Sequence, residues 1–231
     1  MTPKLLLSIA AAAAVIAAPA RAADVAPAAG DTYVYRIINK YNKESRGEVR
    51  LRIEQIGAEG TTVSVAPSRA EAGAARTQVH DREGNWLRYP LESRGKPAEY
   101  TFATPFPAYV VPLEVGKSWS MKVKAATPDD GRPRTVRVDG KVLRNERVRV
   151  PAGEFDTVVI RRRIYAGDAD QNYSETRTDE TEWYAPALGR AVRLERTSEW
   201  RDLGMCGRGV RCDRRGDWDL LELVEARAVK R

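Results

Sequence analysis

The 231-residue chain has one histidine, His80, and two cysteines, Cys206 and Cys212. Nucleophilic catalysis needs a base beside a hydroxyl or thiol, and a structural zinc needs four ligands, so this inventory closes most routes to either. His80 follows Val79, and if Val79 faces a core, strand alternation sends His80 to solvent and Asp81 back the other way. A triad on His80 would then need tertiary contacts that the spacing does not supply. The cysteines stand six positions apart in a Gly- and Arg-rich stretch. In an oxidising compartment they are expected to pair as a loop staple, contributing about 2 kcal/mol in the chain-entropy model. A redox pair would be better served by two intervening residues.

Charged residues offer the remaining chemistry. Arg161, Arg162 and Arg163 fall inside a strand-like run, so Arg162 shares the face of Ile160 and Ile164, while its two neighbours share that of Val159 and Tyr165. Glu175, Asp179, Glu180 and Glu182 follow, and a hairpin would set them across from the arginines as a charge ladder. The alternative is that Arg162, or the Arg161 and Arg163 pair, lines a cavity and holds an anionic headgroup. Asp168, Asp170 and Asn172, with Asp179 further on, imitate a calcium loop, but Tyr173 stands where the sharp turn needs glycine, which favours a polar turn. No pair of acids has a spacing that marks it for carboxylate-only hydrolysis. The expectation is a chain that is not an enzyme, with no catalytic residue, no metal ligand and no cofactor.

The elements that must position these residues read as strands. Phe155, Thr157, Val158, Val159, Ile160, Ile164 and Tyr165 are aromatic or β-branched, and turn signals flank them at Pro151-Ala152-Gly153 and at residues 167–172. Further upstream, Tyr33, Tyr35 and Ile37 share one face of a strand, as do Val49, Leu51 and Ile53, and then Val63 and Val65. Arg82-Glu83-Gly84-Asn85 is a hairpin turn, and Asp139-Gly140 is the strongest short hairpin signal. Trp119, Met121 and Val123 alternate with polar residues as a half-buried strand. Residues 90–112 carry Pro90, Pro97, Pro105, Pro107 and Pro112 among Tyr100, Phe102, Phe106 and Tyr109. That proline density argues against a central strand and for a long connection, its aromatics either plugging one end of the core or forming a lid over a cavity. Residues 217–226 fit a last strand that supplies a pairing edge. The predicted fold is all-β: a single antiparallel meander of about ten strands forming a half-barrel or barrel-like sandwich.

Three stretches, PLEVGKSW from Pro112, VPAGEFDT from Val150 and WYAPALGR from Trp183, resemble a family of proteobacterial periplasmic proteins of unknown function. The resemblance covers residues 112–194 and implies a curved, partly closed sheet similar to lipoprotein-carrier and lipocalin-like half-barrels. Its motifs are turn chemistry, so it assigns no site. With catalytic groups scarce, it implies a non-catalytic carrier of a lipid or other hydrophobic or amphipathic ligand. The candidate ligand-contacting residues are Phe102, Phe106, Tyr109, Trp119, Arg162 and Trp183. The alternative is a cell-envelope assembly or protein-interaction module without a small ligand.

Residues 1–22 have the form of a cleaved signal peptide: Lys4, then an apolar run, then Ala20-Arg21-Ala22 as the small-x-small site. A membrane anchor would need about 20 apolar residues, and Pro19 and Arg21 interrupt the run first. Residues 23–30 read as a disordered leader and residues 31–231 as one β domain, periplasmic or secreted, with no transmembrane segment in the mature chain. Cleavage removes Lys4 and Arg21 and no acid, lowering the formal charge from +7 to +5. Both signs are dense throughout, so the surplus describes a solvated surface, and with an export signal it argues against nucleic acid as a partner.

Overall fold

The structure is a computed structural model and describes residues 27–68, 75–127, 132–167, 173–206 and 212–229. Strands dominate because apolar and polar residues alternate along most of the chain. In order they are β1 (Thr32–Asn39), β2 (Ser45–Gly57), β3 (Gly60–Pro67), β4 (Arg76–His80), β5 (Trp86–Ser93), β6 (Lys96–Phe106), β7 (Ser118–Ala126), β8 (Arg134–Val150), β9 (Gly153–Ala166), β10 (Thr176–Ala185), β11 (Arg190–Arg201) and β12 (Asp213–Arg227). Each pairs antiparallel with its sequence neighbour, and β12 returns to pair with β1 from Asn39↔Asp219 to Thr32↔Arg227. The meander is therefore a closed barrel of twelve strands, and the C-terminal strand is what removes the free edges.

Several expectations are corrected in detail. Asp139-Gly140 is not a hairpin: both residues lie in the 17-residue β8. Gly140 is needed there because Trp119, directly across on β7, lays its ring over it, and a Cβ would run into that ring. The proline-rich region is also no long connection, since Pro90 lies in β5 and Pro97 and Pro105 lie in β6. The outer edges of this hairpin are loosely paired: β4 meets β5 only at Val79↔Arg88 and His80↔Trp86, and β6 meets β7 only at Thr101↔Ala126 and Phe102↔Ala125. A missing N–H costs little where no strand waits to accept it. Arg94 and Gly95, at φ of 52° and 74°, supply the two positive dihedrals of the connecting turn.

Residues 1–22, assigned to the signal peptide, lie outside the described residues, as does the calcium-like run at residues 168–172. Residues 27–30 of the expected leader form a turn tied to β2 by the Gly30 N–H, which donates to the Ile53 carbonyl at 2.7 Å. The expected bond between Cys206 and Cys212 is formed, with Cα atoms 5.0 Å apart.

The two faces of the sheet differ sharply. Outward positions carry cross-strand polar rows: Ser120 Oγ donates to Asp139 at 2.7 Å, and Arg163 Nε donates to Asp179 at 2.7 Å. On the same face Arg177 pairs with Glu199 at 2.7 Å. A barrel in lipid needs an outward apolar band, and at these positions the outer face carries polar and charged pairs instead. Among the described residues no helix is long and apolar enough to cross a membrane. Inside, one buried cluster joins Trp86, Tyr100, Phe102, Phe106, Trp119 and Ile160, and a second joins Tyr33, Tyr35, Ile53, Phe155, Val192 and Leu223.

Candidate functional site

One row of inward residues crosses the sheet from β7 to β12: Trp119, Gly140, Arg162, Glu180, Arg196 and Asp219 are successive cross-strand partners. From β9 onward it alternates cation and anion, the arrangement that cross-strand pairing favours. Its anchor is Arg162, which is 2% exposed and hydrogen-bonds to Glu180 at 3.2 Å, to Glu182 and to the Ala108 carbonyl at 3.2 Å. Tyr109 donates its hydroxyl to the other oxygen of Glu182 at 2.6 Å. Burial alone would weaken the Arg162 charge, but Glu182 and Glu180 outweigh it and hold the guanidinium protonated well above its usual range. Burial, then the Glu182 charge, push the Tyr109 phenol up well above 10, so it stays a donor.

Beside this row the interior is not filled. A cavity of about 330 Å³ lies between the walls of β1–β5 and β9–β12. Ile37, Val49, Leu51, Val65, Leu194 and Leu221 give it an aliphatic side, and Trp86 and Tyr89 stack at 3.9 Å on another. Arg76, exposed at the start of β4, marks where it meets solvent. Its polar lining includes Gln78, His80, Arg190, Arg196 and Asp219. The size falls in the range that holds small ligands.

His80 corrects the sequence expectation: it faces this interior, not solvent, half-buried beside the buried Gln78. Val79 did not mark the core face because the inward surface of β4 lines a polar part of the cavity. Burial, with the nearby Arg190 charge, pulls the imidazole down to about 4, so it is neutral at neutral pH. Among the described residues its buried Nε2 has no hydrogen-bond partner, and neither have Arg190 Nε and Asp219 Oδ1, which also belong to the lining. The Arg190 guanidinium lies 3.7 Å from the centre of the Tyr33 ring and bonds to the Tyr35 phenol, which itself donates to the Ala191 carbonyl at 2.8 Å.

Of the residues singled out from sequence, Tyr109 and Arg162 line the cavity, and Arg162 is already saturated by acids. Phe102, Phe106 and Trp119 lie in the packed aromatic cluster beside it, with the Trp119 indole N–H donating to the Pro107 carbonyl at 3.0 Å. Trp183 is on the opposite face of β10 from Glu182, under the Arg193 guanidinium at 5.5 Å. The arginine run splits as alternation requires: Arg162 opposes Glu180 inside, Arg163 opposes Asp179 outside, and Arg161 opposes Thr181. Arg190, Arg196 and Gln78 were missed, because β11 and β4 carry polar side chains on both faces and alternation gives no signal there.

No family model and no curated protein matches the sequence, so the relationship suggested by the turn motifs stands on those motifs alone. Among solved structures, the chain is similar to a candidate lipoprotein from Parabacteroides distasonis, with 12% identity, 88% of this chain and 98% of that chain covered, and a TM-score of 0.49. It is also similar to a candidate exported protein with a YmcC-like fold from Bacteroides fragilis, at 13% identity, 88% and 98% coverage and a TM-score of 0.46. The hypothetical lipoprotein YmcC from Escherichia coli aligns at 12% identity, 87% and 86% coverage and a TM-score of 0.44. At such overlaps no residue role transfers to this chain.

Proposed function

We propose that this protein is an exported, non-catalytic carrier that binds a hydrophobic or amphipathic small molecule, such as a lipid, inside its barrel. The observation that carries the reading is the cavity of about 330 Å³, aliphatic on one side and polar on the other, beside a packed aromatic cluster. A barrel of twelve strands is wider than the eight-stranded barrels that side chains fill, so the space left beside the Arg162 ion cluster is room for a ligand. Binding is favoured over catalysis because His80 Nε2 has no hydrogen-bond partner among the described residues, so no nucleophile and base are assembled there. The signal-like residues 1–22 support release into the periplasm or medium.

Native mass spectrometry of protein purified from periplasm without detergent, followed by solvent extraction, tests this. A mass starting at Ala23 with a stoichiometric apolar ligand is the expected result. A bare protein that also takes up no amphiphile when titrated would defeat the carrier reading.

A second reading, an envelope-assembly or protein-interaction module, is favoured by a different observation. The β6–β7 seam has only two residue pairs, and Met121 on β7 is 44% exposed while Val111 and Val115 in the preceding loop are 57% and 55% exposed. An open seam with apolar residues near it is a surface on which a partner strand can dock. Crosslinking from position 121 in intact cells to a discrete protein partner would support it.

A further inference from the structure

The cavity's ion content is unbalanced in a way that specifies the ligand. Its lining carries the guanidiniums of Arg76, Arg162, Arg190 and Arg196 against the carboxylates of Glu182 and Asp219. Glu182 is engaged by Arg162 and Tyr109, while Asp219 lies 3.5 Å from Arg46 and across from Arg196, its Oδ1 without a hydrogen-bond donor among the described residues. Arg196 makes no ion pair among the described residues, but burial of its charge is outweighed by Glu180, with Tyr89, Glu92 and Asp219 also close, which holds its guanidinium above its usual range. Arg190 is different. Among the described residues it has no acid within ion-pairing distance, and the groups around it are the Tyr33 ring, the Tyr35 phenol and the neutral His80. A guanidinium left in a partly closed space without an anion is costly, and it is retained where an anion arrives from outside.

We propose that Arg190, with His80 beside it, is the headgroup site for a compact anion, a carboxylate or phosphate, on an amphiphile whose tail lies along Ile37, Val49, Leu51, Val65, Leu194 and Leu221. The assignment rests on the carrier reading and adds the charge class of the ligand and its anchor. Among the described lining residues three buried polar atoms have no hydrogen-bond partner, Arg190 Nε, His80 Nε2 and Asp219 Oδ1, and the first two can donate to an anion. The imidazole can carry its proton on Nε2 and donate it, while the guanidinium fork grips two oxygens of the same headgroup. Arg162, the cation that sequence spacing points to, does not serve, since Glu180, Glu182 and the Ala108 carbonyl already take its donors. At the ~30 Å³ that a water molecule occupies in the liquid, the cavity admits about eleven heavy atoms, which suits a tail of about ten carbons with the end of the molecule at the Arg76 mouth.

The test is titration of the mature chain, stripped of ligand, with decanoate, decyl phosphate, decanol and decyltrimethylammonium, read by Trp fluorescence and calorimetry. The expected result is one site per chain, with the two anions at least tenfold tighter than decanol and the cation weakest; the tighter anion identifies the headgroup. Arg190→Met lowers anion affinity at least tenfold and leaves decanol unchanged, and Arg190→Lys restores part of the loss, with the urea midpoint measured for each. His80→Leu supplies a second variant, weakening the anions and sparing decanol. Equal binding of decanol and decanoate, or full anion affinity in Arg190→Met, would overturn the headgroup assignment while leaving a carrier. Failure of every amphiphile to bind would overturn the carrier reading with it.

Discussion

Replacing Arg162 by methionine leaves Glu180 and Glu182, 3% and 2% exposed, without their shared cation. A buried pair broken from one side costs about 3–5 kcal/mol, so Arg162→Met should lower the unfolding free energy by that much, read as a lower urea midpoint at unchanged slope. Arg163→Met, whose side chain is 47% exposed against Asp179 outside the barrel, should cost under about 1 kcal/mol. Equal losses would show that the interior cluster is not what holds these strands. His80 makes a prediction about pH. Its pKa is near 4 in the folded chain against 6.5 unfolded, so between those values the unfolded state binds more protons, and the stability His80 contributes is lost as pH falls from about 6.5 to 4. Glu92 and Asp219, raised chiefly by burial, act in the opposite sense at the acid end, gaining protons in the fold first. Subtracting the profile of His80→Asn from that of the native protein separates them. The difference should be at most about 3 kcal/mol, and less where water in the cavity reaches the ring. No change in slope would place the imidazole in solvent.

Among the elements, β8 and the β5–β6 hairpin show how packing overrides local signals. Asp-Gly is strong turn chemistry, yet Gly140 lies in mid-strand because the Trp119 ring occupies the space of a side chain. Gly140→Ala should therefore destabilise by about 1–3 kcal/mol, and most of that cost should vanish in a Trp119→Ala background. An undiminished cost in the double variant would mean that the backbone, not the ring, demands glycine. Pro90, Pro97 and Pro105 are tolerated because β4 and β7 barely pair with this hairpin. By contrast, Tyr33, Tyr35 and Ile37, or Val49, Leu51 and Ile53, were legible as strand faces because alternation reports directly which side is covered. The staple between Cys206 and Cys212 should contribute about 2 kcal/mol, read as the loss in the double serine variant.

At the scale of the whole molecule, closure depends on β12, which pairs with both β1 and β11. Deleting residues 213–231 exposes both of those edges, and the truncated chain should elute as aggregate on size-exclusion chromatography. A monomeric truncation with native circular dichroism would show that the sheet stands as an open half-barrel. Sequence alone determined that the chain is an antiparallel β meander, that its arginine run divides between two faces, and that catalytic groups are scarce. These follow from composition and period-two alternation, which act over a few residues. Tertiary structure alone decided that the sheet closes, that His80 turns inward and that Arg162 is saturated. It also decided that space remains beside Arg190. A cavity is a volume left over by side chains from strands far apart in sequence, and His80 meets Arg190 only because nine strands assemble around that volume.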